Sequence, residues 1–148
     1  MQGGSNVSLD GASATTECAF CQRSSIADHI LKETATFRVV ADHAPLVEGH
    51  LLIIPREHYT CYGDVPAALD AELFTFKQEV RRFFNRFYDP PVFWEHGIFR
   101  QTVFHAHLHC FPFGAIPYDL ATGLHALTIN TQDDIRAWHA THGHYFYL

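Results

Sequence analysis

The sequence predicts an α+β domain in which a five-stranded antiparallel sheet carries one long helix. Short runs rich in apolar and β-branched residues precede a long helical pattern, and further runs of the same kind follow it. Short connections between consecutive strands favour antiparallel pairing. With 148 residues, of which 47% are hydrophobic, the chain can bury a substantial core within one domain.

The predicted strands cover residues 29–33 and 36–42, which form a hairpin, and then 50–54, 92–95 and 103–110. A long helix is predicted over residues 69–88, because apolar residues recur there at intervals of three and four. We expect this apolar stripe to pack on the sheet; its members are Leu69, Leu73, Phe76, Val80, Phe83 and Phe87. A short helix is predicted over residues 132–139.

Composition limits the classes of partner. Residues 1–16 are small and polar and are predicted to form a flexible tail, followed by a single domain at 17–148 with a core at 17–114 and a C-terminal extension at 115–148. The formal net charge of −6 offers no basic face to nucleic acid or to an anionic membrane. Apolar runs too short to span a bilayer, and no leader segment, predict a soluble, cytoplasmic protein.

The most informative stretch is residues 104–112, with the sequence FHAHLHCFP. His105, His107 and His109 alternate with Ala106, Leu108 and Cys110, so a strand here places the three imidazoles on one face. Neutral imidazole is a good nucleophile near pH 7, provided that its other ring nitrogen donates to a carbonyl or carboxylate.

A second motif is Cys18-x-x-Cys21. By itself such a pair is a zinc half-site, a redox pair or a chance occurrence. Zinc requires four ligands, so its other ligands must be histidines or the remaining cysteines, Cys61 among them. Cys110 is expected to lie in the core.

Two segments, HLLIIPREH at residues 50–58 and QTVFHAHLH at residues 101–109, resemble the histidine-triad superfamily of nucleotide hydrolases and transferases. The triad pattern of that family is H-φ-H-φ-H-φ-φ, where φ is apolar, and Cys110-Phe111 completes it. The resemblance covers residues 17–114 in the family's order. It implies a homodimer with strands and helices paired across a two-fold axis, and a nucleotide as substrate.

The resemblance also implies roles for individual residues. The catalytic triad is His105, His107 and His109, in which His107 attacks the α-phosphorus to form a nucleotidyl-histidine that water hydrolyses. The implied substrate-binding residues are His50, Gln101 and Thr102 at the phosphate, Asp42 at the ribose, and Phe20 and Leu52 at the base. An Asp42 that only caps its turn is an equal alternative. Zinc is implied as a structural cofactor bound by Cys18, Cys21, His58 and His105.

The expected function is hydrolysis or transfer at the α-phosphate of a dinucleoside polyphosphate or nucleoside phosphoramidate. The alternatives are a nucleotidyltransferase or phosphorylase that uses phosphate or a sugar phosphate as acceptor, a non-catalytic nucleotide-binding module, and a metallohydrolase with a catalytic metal on the three triad histidines. The sequence departs from the family at Arg100, where glycine is usual, and at Pro112-Phe113, where Pro-Arg is frequent.

Overall fold

The computed structural model describes residues 17–114 and 123–148, so the predicted tail at 1–16 lies outside the described residues. The strands are β1 (Ile30–Glu33), β2 (Phe37–Ala41), β3 (Leu51–Pro55), β4 (Val92–Trp94) and β5 (Leu108–Phe111). The helices are α1 (Arg23–Ile26), α2 (Asp70–Phe87) and α3 (Gln132–His142). Within the described residues, the strands form one antiparallel sheet in the order β1-β2-β3-β5-β4, which confirms the predicted fold class.

Both faces of the sheet are covered. On one face, alternate residues of β2 and β3 such as Val39 and Ile53 share a core with α2. On the other face, Val40 and Leu52 pack with Phe20 of the N-terminal segment. A central strand covered on both sides has no face that must be polar, which explains the unbroken apolar run of β3.

The buried stripe of α2 differs from the predicted one near the end of the helix. Leu73, Phe76 and Val80 are buried as expected, and the stripe continues through Phe84. Phe83 and Phe87 are 41% and 60% exposed. A straight helix has 3.6 residues per turn, so after Val80 the stripe advances by four positions to Phe84 and leaves Phe83 outside the contact with the sheet.

Strand β5 is shorter than predicted, because it begins only at Leu108. Its pairing with β3 ends at the Ile53–Leu108 pair, close to the end of β3 at Pro55. The preceding residues bend, and Ala106 donates its N–H to the carbonyl of Tyr59 instead. The predicted alternation nevertheless holds, since Ala106, Leu108 and Cys110 all lie in the core shared with α2.

The C-terminal segment packs against the turn that precedes α2. Helix α3 starts with a capping box at Thr131, extends to His142 rather than 139, and ends at Gly143, whose φ of 75° favours glycine. The Arg136 guanidinium pairs with Asp70 at the start of α2. None of the helices in the described parts of the chain is long and apolar enough to cross a membrane.

Candidate functional site

The predicted zinc ligands come together. One ligand atom from each of Cys18, Cys21, His58 and His105 lies within 4.8 Å of all the others. His105 Nδ1 is 3.4 Å from both Cys18 Sγ and Cys21 Sγ, and His58 Nδ1 is 3.2 Å from Cys21 Sγ. Tetrahedral zinc with ordinary bond lengths separates sulfur and nitrogen ligands by about 3.5 Å. The donor set and its spacing therefore fit zinc.

The surroundings of this group orient its ligands. His105 is fully buried and donates Nε2–H to the Pro55 carbonyl oxygen at 2.7 Å, which leaves the Nδ1 lone pair directed at the cysteines. The buried Arg38 donates to the Phe20 carbonyl at 3.1 Å and so holds the segment between the cysteines. Burial, followed by the neighbouring Cys18, raises the pKa of Cys21 to about 11, so two thiolates side by side need a cation.

His107 presents one ring nitrogen as an acceptor. The ring is buried, and Nδ1–H donates to the His105 carbonyl oxygen at 2.6 Å. A carbonyl only accepts hydrogen bonds, so Nδ1 carries the proton and Nε2 of the neutral ring carries a lone pair. This is the tautomer that a nucleophilic histidine requires.

His50 and His109 form a hydrogen-bonded pair beside His107. The Leu46 N–H donates to His50 Nδ1 at 3.3 Å, which makes that nitrogen an acceptor in the neutral ring. His50 Nε2–H then donates to His109 Nδ1 at 2.9 Å, and His109 keeps its Nε2–H as a donor. The rings of His107 and His109 are 4.9 Å apart between centroids. The ring with the free lone pair and the ring with the free N–H donor are therefore neighbours.

The paired imidazoles are neutral in the free protein. Burial, followed by the neighbouring His107, His50 and His96, lowers the pKa of His109 to about 3. Burial also lowers the pKa of His50, while the Asp42 carboxylate, whose Oδ2 is 3.5 Å from His50 Nδ1, acts in the opposite direction. The site therefore accepts a proton only when further negative charge arrives.

The residues predicted to hold base and ribose line one pocket. Phe20, Leu52 and Asp42 lie on its wall. The Phe20 ring also contacts His107 edge-on, with centroids 5.3 Å apart, so the pocket and the triad are adjacent. Asp42 Oδ1 accepts the Ala44 N–H at 2.9 Å, so one oxygen of this carboxylate caps the turn.

The side-chain amide of Gln101, which is predicted to bind the phosphate, is hydrogen-bonded within the protein. Its buried amide donates to the carbonyl oxygens of Thr60 at 2.9 Å and His105 at 3.1 Å, and its Oε1 accepts the Ile98 N–H. Both donors are thus used within the protein, and Gln101 supports the backbone under His107. Thr102 is exposed beside it.

The loop before Gln101 has an unusual backbone. Arg100 has a φ of 55°, in the left-handed region that glycine adopts without cost. This conformation supplies a physical reason for the glycine that histidine-triad proteins usually have at this position. Ile98, with a φ of 78°, is strained in the same way.

The three triad histidines do not converge on one point. Among the described residues, His105 belongs to the cysteine group, His109 lies in a second group with Asp42 and His50, and His107 belongs to neither. This separation is unfavourable to a catalytic metal held by all three triad imidazoles.

Sequence reasoning missed a buried polar cluster next to the loop between β4 and β5. Glu95 accepts hydrogen bonds from the Tyr145 hydroxyl at 2.5 Å and from the Tyr62 N–H at 2.7 Å. His139 lies against Cys61 and Asp64. The spacing of Cys61 and Asp64 in one turn was a weak signal, and the other members come from distant segments.

Comparison with known proteins agrees with this geometry. A family model described as "Protein similar to CwfJ C-terminal" matches residues 10–125. The chain belongs to this histidine-triad-like family. No curated protein sequence matches the chain.

Solved structures of histidine-triad (HIT) proteins share the fold. A HIT family hydrolase from Clostridium thermocellum is 20% identical, with a TM-score of 0.55 over 70% of this chain and 96% of that chain. A HIT family protein from Bacillus anthracis is 22% identical, with a TM-score of 0.57 over 81% of this chain and 86% of that chain. A zinc-bound histidine triad family protein from Mycobacterium smegmatis is 23% identical, with a TM-score of 0.54 over 86% and 96%.

Proposed function

We propose that this histidine-triad protein hydrolyses a nucleoside phosphate derivative at its α-phosphate through a covalent intermediate on His107. The observation that carries the proposal is the hydrogen bond from His107 Nδ1–H to the His105 carbonyl, because it fixes the nucleophilic tautomer. Dinucleoside polyphosphates and nucleoside phosphoramidates are the substrate class.

In the first step, the His107 Nε2 lone pair attacks the α-phosphorus and forms an N–P bond. The bond from phosphorus to the leaving oxygen or nitrogen breaks, and its electron pair goes to the leaving group. A proton from His109 Nε2 neutralises that group. Water then attacks phosphorus and gives a proton to His109 Nε2, the N–P bond breaks, and its electron pair returns to His107 Nε2.

His109 takes up the proton for the leaving group when the substrate binds. A neutral imidazole is a poor acid, and His109 is neutral in the free protein. Phosphate charge beside the ring favours its protonated form, and Asp42 stabilises positive charge on the connected His50. We therefore assign His109 and His50 to phosphate binding and to protonation of the leaving group.

We assign the nucleoside to the pocket beside the triad. Phe20 and Leu52 present apolar surface to a base, while Asp42 keeps one carboxylate oxygen, 3.5 Å from His50, that is not used in capping the turn. Thr102 is exposed and available as a donor to phosphate. A structural zinc bound by Cys18, Cys21, His58 and His105 would fasten the segment that carries Phe20 to the loop that precedes β5.

A homodimer is proposed from an exposed aromatic cluster at the end of α2. Phe83 contacts Phe87 and Tyr88, and these side chains are 41%, 60% and 38% exposed. Light scattering should give twice the chain mass, and Phe87→Ser should shift it to the monomer. An unchanged monomeric mass in the wild type would contradict this proposal.

Steady-state assays with a dinucleoside polyphosphate and a nucleoside phosphoramidate test the function. We expect His107→Ala to lose turnover by about a thousandfold or more while binding persists, because only the nucleophile is removed. His142→Asn, at an exposed position of α3, is the control. Adding phosphate or a sugar phosphate and analysing products separates hydrolysis from transfer. Binding without turnover in the wild type would identify a non-catalytic module and refute the proposal.

A further inference from the structure

A further group of metal-ligand atoms, distinct from the Cys18 group and the Asp42 group, lies where α3 docks against the domain. Cys61 Sγ, one carboxylate oxygen of Asp64 and a ring nitrogen of His139 lie within 4.8 Å of one another. His139 Nε2 is 3.1 Å from Asp64 Oδ1 and 3.7 Å from Cys61 Sγ, which is itself 3.8 Å from Asp64 Oδ2. Tetrahedral zinc separates such atoms by about 3.4–3.6 Å. This group shares no residue with the Cys18 group.

The approach of His139 to this turn depends on a glycine. A Cβ added at Gly63 would lie 2.6 Å from the His139 side chain, closer than real Cβ contacts permit. Gly63 also donates its N–H to the Tyr145 hydroxyl at 2.9 Å, which fixes the turn from the other side. Cys61 is fully buried, and the His139 side chain is 15% exposed. Cys61 and His139 are therefore held in place by packing, whereas the Asp64 side chain is 42% exposed.

The protons of this group converge on one carboxylate: the Cys61 thiol donates to Asp64 Oδ2, and in the Nε2–H form His139 donates to Asp64 Oδ1. The other ring nitrogen, Nδ1, is buried and has no partner among the described residues. In the Nδ1–H form, the Nε2 lone pair points at a carboxylate and a sulfur. A cation at the centre satisfies all three ligand atoms.

The surrounding charge also favours a cation. The buried Glu95 carboxyl and the Asp64 carboxylate both act electrostatically on Cys61. The nearest described guanidinium on α3, that of Arg136, is paired with Asp70 and Asp133. Arg136 is therefore engaged elsewhere, and Asp64 contacts the His139 ring instead.

We infer that Cys61, Asp64 and His139 bind a second zinc ion, with water as the fourth ligand. One sulfur, one nitrogen and one oxygen donor form a set that zinc accepts readily. Two of the ligands lie in the turn before α2, and the third lies on α3. The ion therefore fastens the C-terminal helix to the domain and stabilises that docking.

Zinc content per chain, measured by mass spectrometry of the full chain after dialysis against excess zinc and then zinc-free buffer, tests the inference. We expect two zinc ions in the wild type, and one fewer in both Cys61→Ser and His139→Gln. His142→Gln, one turn further along α3, is the matched control and should retain the wild-type content. Zinc should also raise the melting temperature of the wild type more than that of His139→Gln.

The Cys21→Ser variant distinguishes the proposed structural zinc from the zinc ion at this second site. A zinc ion lost in Cys61→Ser and His139→Gln but kept in Cys21→Ser supports the second site whatever the fate of the first. If Cys61→Ser fails to fold by circular dichroism, His139→Gln decides. Wild-type zinc content in His139→Gln, or zinc that is lost only in Cys21→Ser, would overturn the inference.

Discussion

The ring of His107 is held by a hydrogen bond from its Nδ1–H to the backbone carbonyl oxygen of His105, 2.6 Å away. The same carbonyl accepts a second hydrogen bond from the Gln101 amide at 3.1 Å. His105 in turn directs its ring at two cysteines. One residue thus connects the proposed zinc site to the proposed nucleophile, through its side chain on one side and its carbonyl on the other.

Gln101→Met should lower kcat by about tenfold to a hundredfold with little change in KM, because the carbonyl that orients His107 loses its second support. The partly buried Thr60 carbonyl and Ile98 N–H also lose their partner, so the free energy of unfolding should fall by about 1–3 kcal/mol. Gln78→Met on α2 is the control for the substitution itself. A rise in KM without a fall in kcat would instead place Gln101 at the substrate.

Ligand binding should take up a proton and tighten as the pH falls, by up to about tenfold per pH unit. The pKa of His109 is about 3 in the free protein, lowered by burial and by His107, His50 and His96. Bound phosphate raises this pKa, so between the two values the complex holds a proton that the free protein lacks. Asp42, which faces His50, acts in the same direction.

Calorimetry in buffers of different ionisation enthalpy measures this uptake directly. A methylene-bridged dinucleoside polyphosphate is a suitable ligand, because its internal phosphates do not titrate near neutral pH. His109→Gln should abolish the uptake. Equal affinity across the pH range, with no proton exchanged by the wild type, would show that His109 stays neutral in the complex.

Tyr145→Phe should destabilise the fold by about 1–3 kcal/mol, since the buried Glu95 carboxyl and the partly buried Gly63 N–H both lose a hydrogen-bond partner. The loss should be larger above about pH 7, because burial raises the pKa of Glu95 to about 7 and the ionised form depends more on the hydroxyl. Urea unfolding measures both effects. Tyr59→Phe, which removes a hydroxyl bonded to exposed Glu57, is the control, and equal losses in the two variants would contradict the account.

Arg100→Gly should raise the free energy of unfolding by up to about 1 kcal/mol, because φ of 55° is strained for every residue with a Cβ. Arg100→Ala keeps the strain while removing the guanidinium, and it should give no such gain. Thermal unfolding of the two variants separates backbone strain from the loss of the side chain. A similar gain in both would attribute the effect to charge.

The strands and the long helix are predictable because their signals are local. The hairpin of β1 and β2, the apolar run of β3 and the periodicity of α2 each lie within a few consecutive residues. The residue at which β5 begins is not determined by local sequence, since it depends on where its partner β3 ends at Pro55. The exposure of Phe83 depends on whether the buried stripe of α2 advances by three or by four positions after Val80.

Part of the site was predictable for a different reason. The spacing of Cys18 and Cys21 and the alternation of His105, His107 and His109 are visible in the sequence, and the structure groups the four predicted metal ligands. The hydrogen bonding of the Gln101 amide within the protein was not predictable from the sequence, because it depends on the Thr60 carbonyl reaching the loop.

The cluster of Cys61 with His139 was not predictable from the sequence either. Those two residues are 78 positions apart and meet only when α3 docks. Sequence patterns report spacing within an element, whereas docking between distant elements is set by packing.

The most direct test of the central claim is mass spectrometry of the wild-type protein after a brief mix with a dinucleoside polyphosphate or nucleoside phosphoramidate. The account predicts a nucleotidyl adduct on the peptide that carries residues 104–112, located on His107 and absent from His107→Ala. An adduct on another residue, or no adduct and no turnover with either substrate, would contradict it.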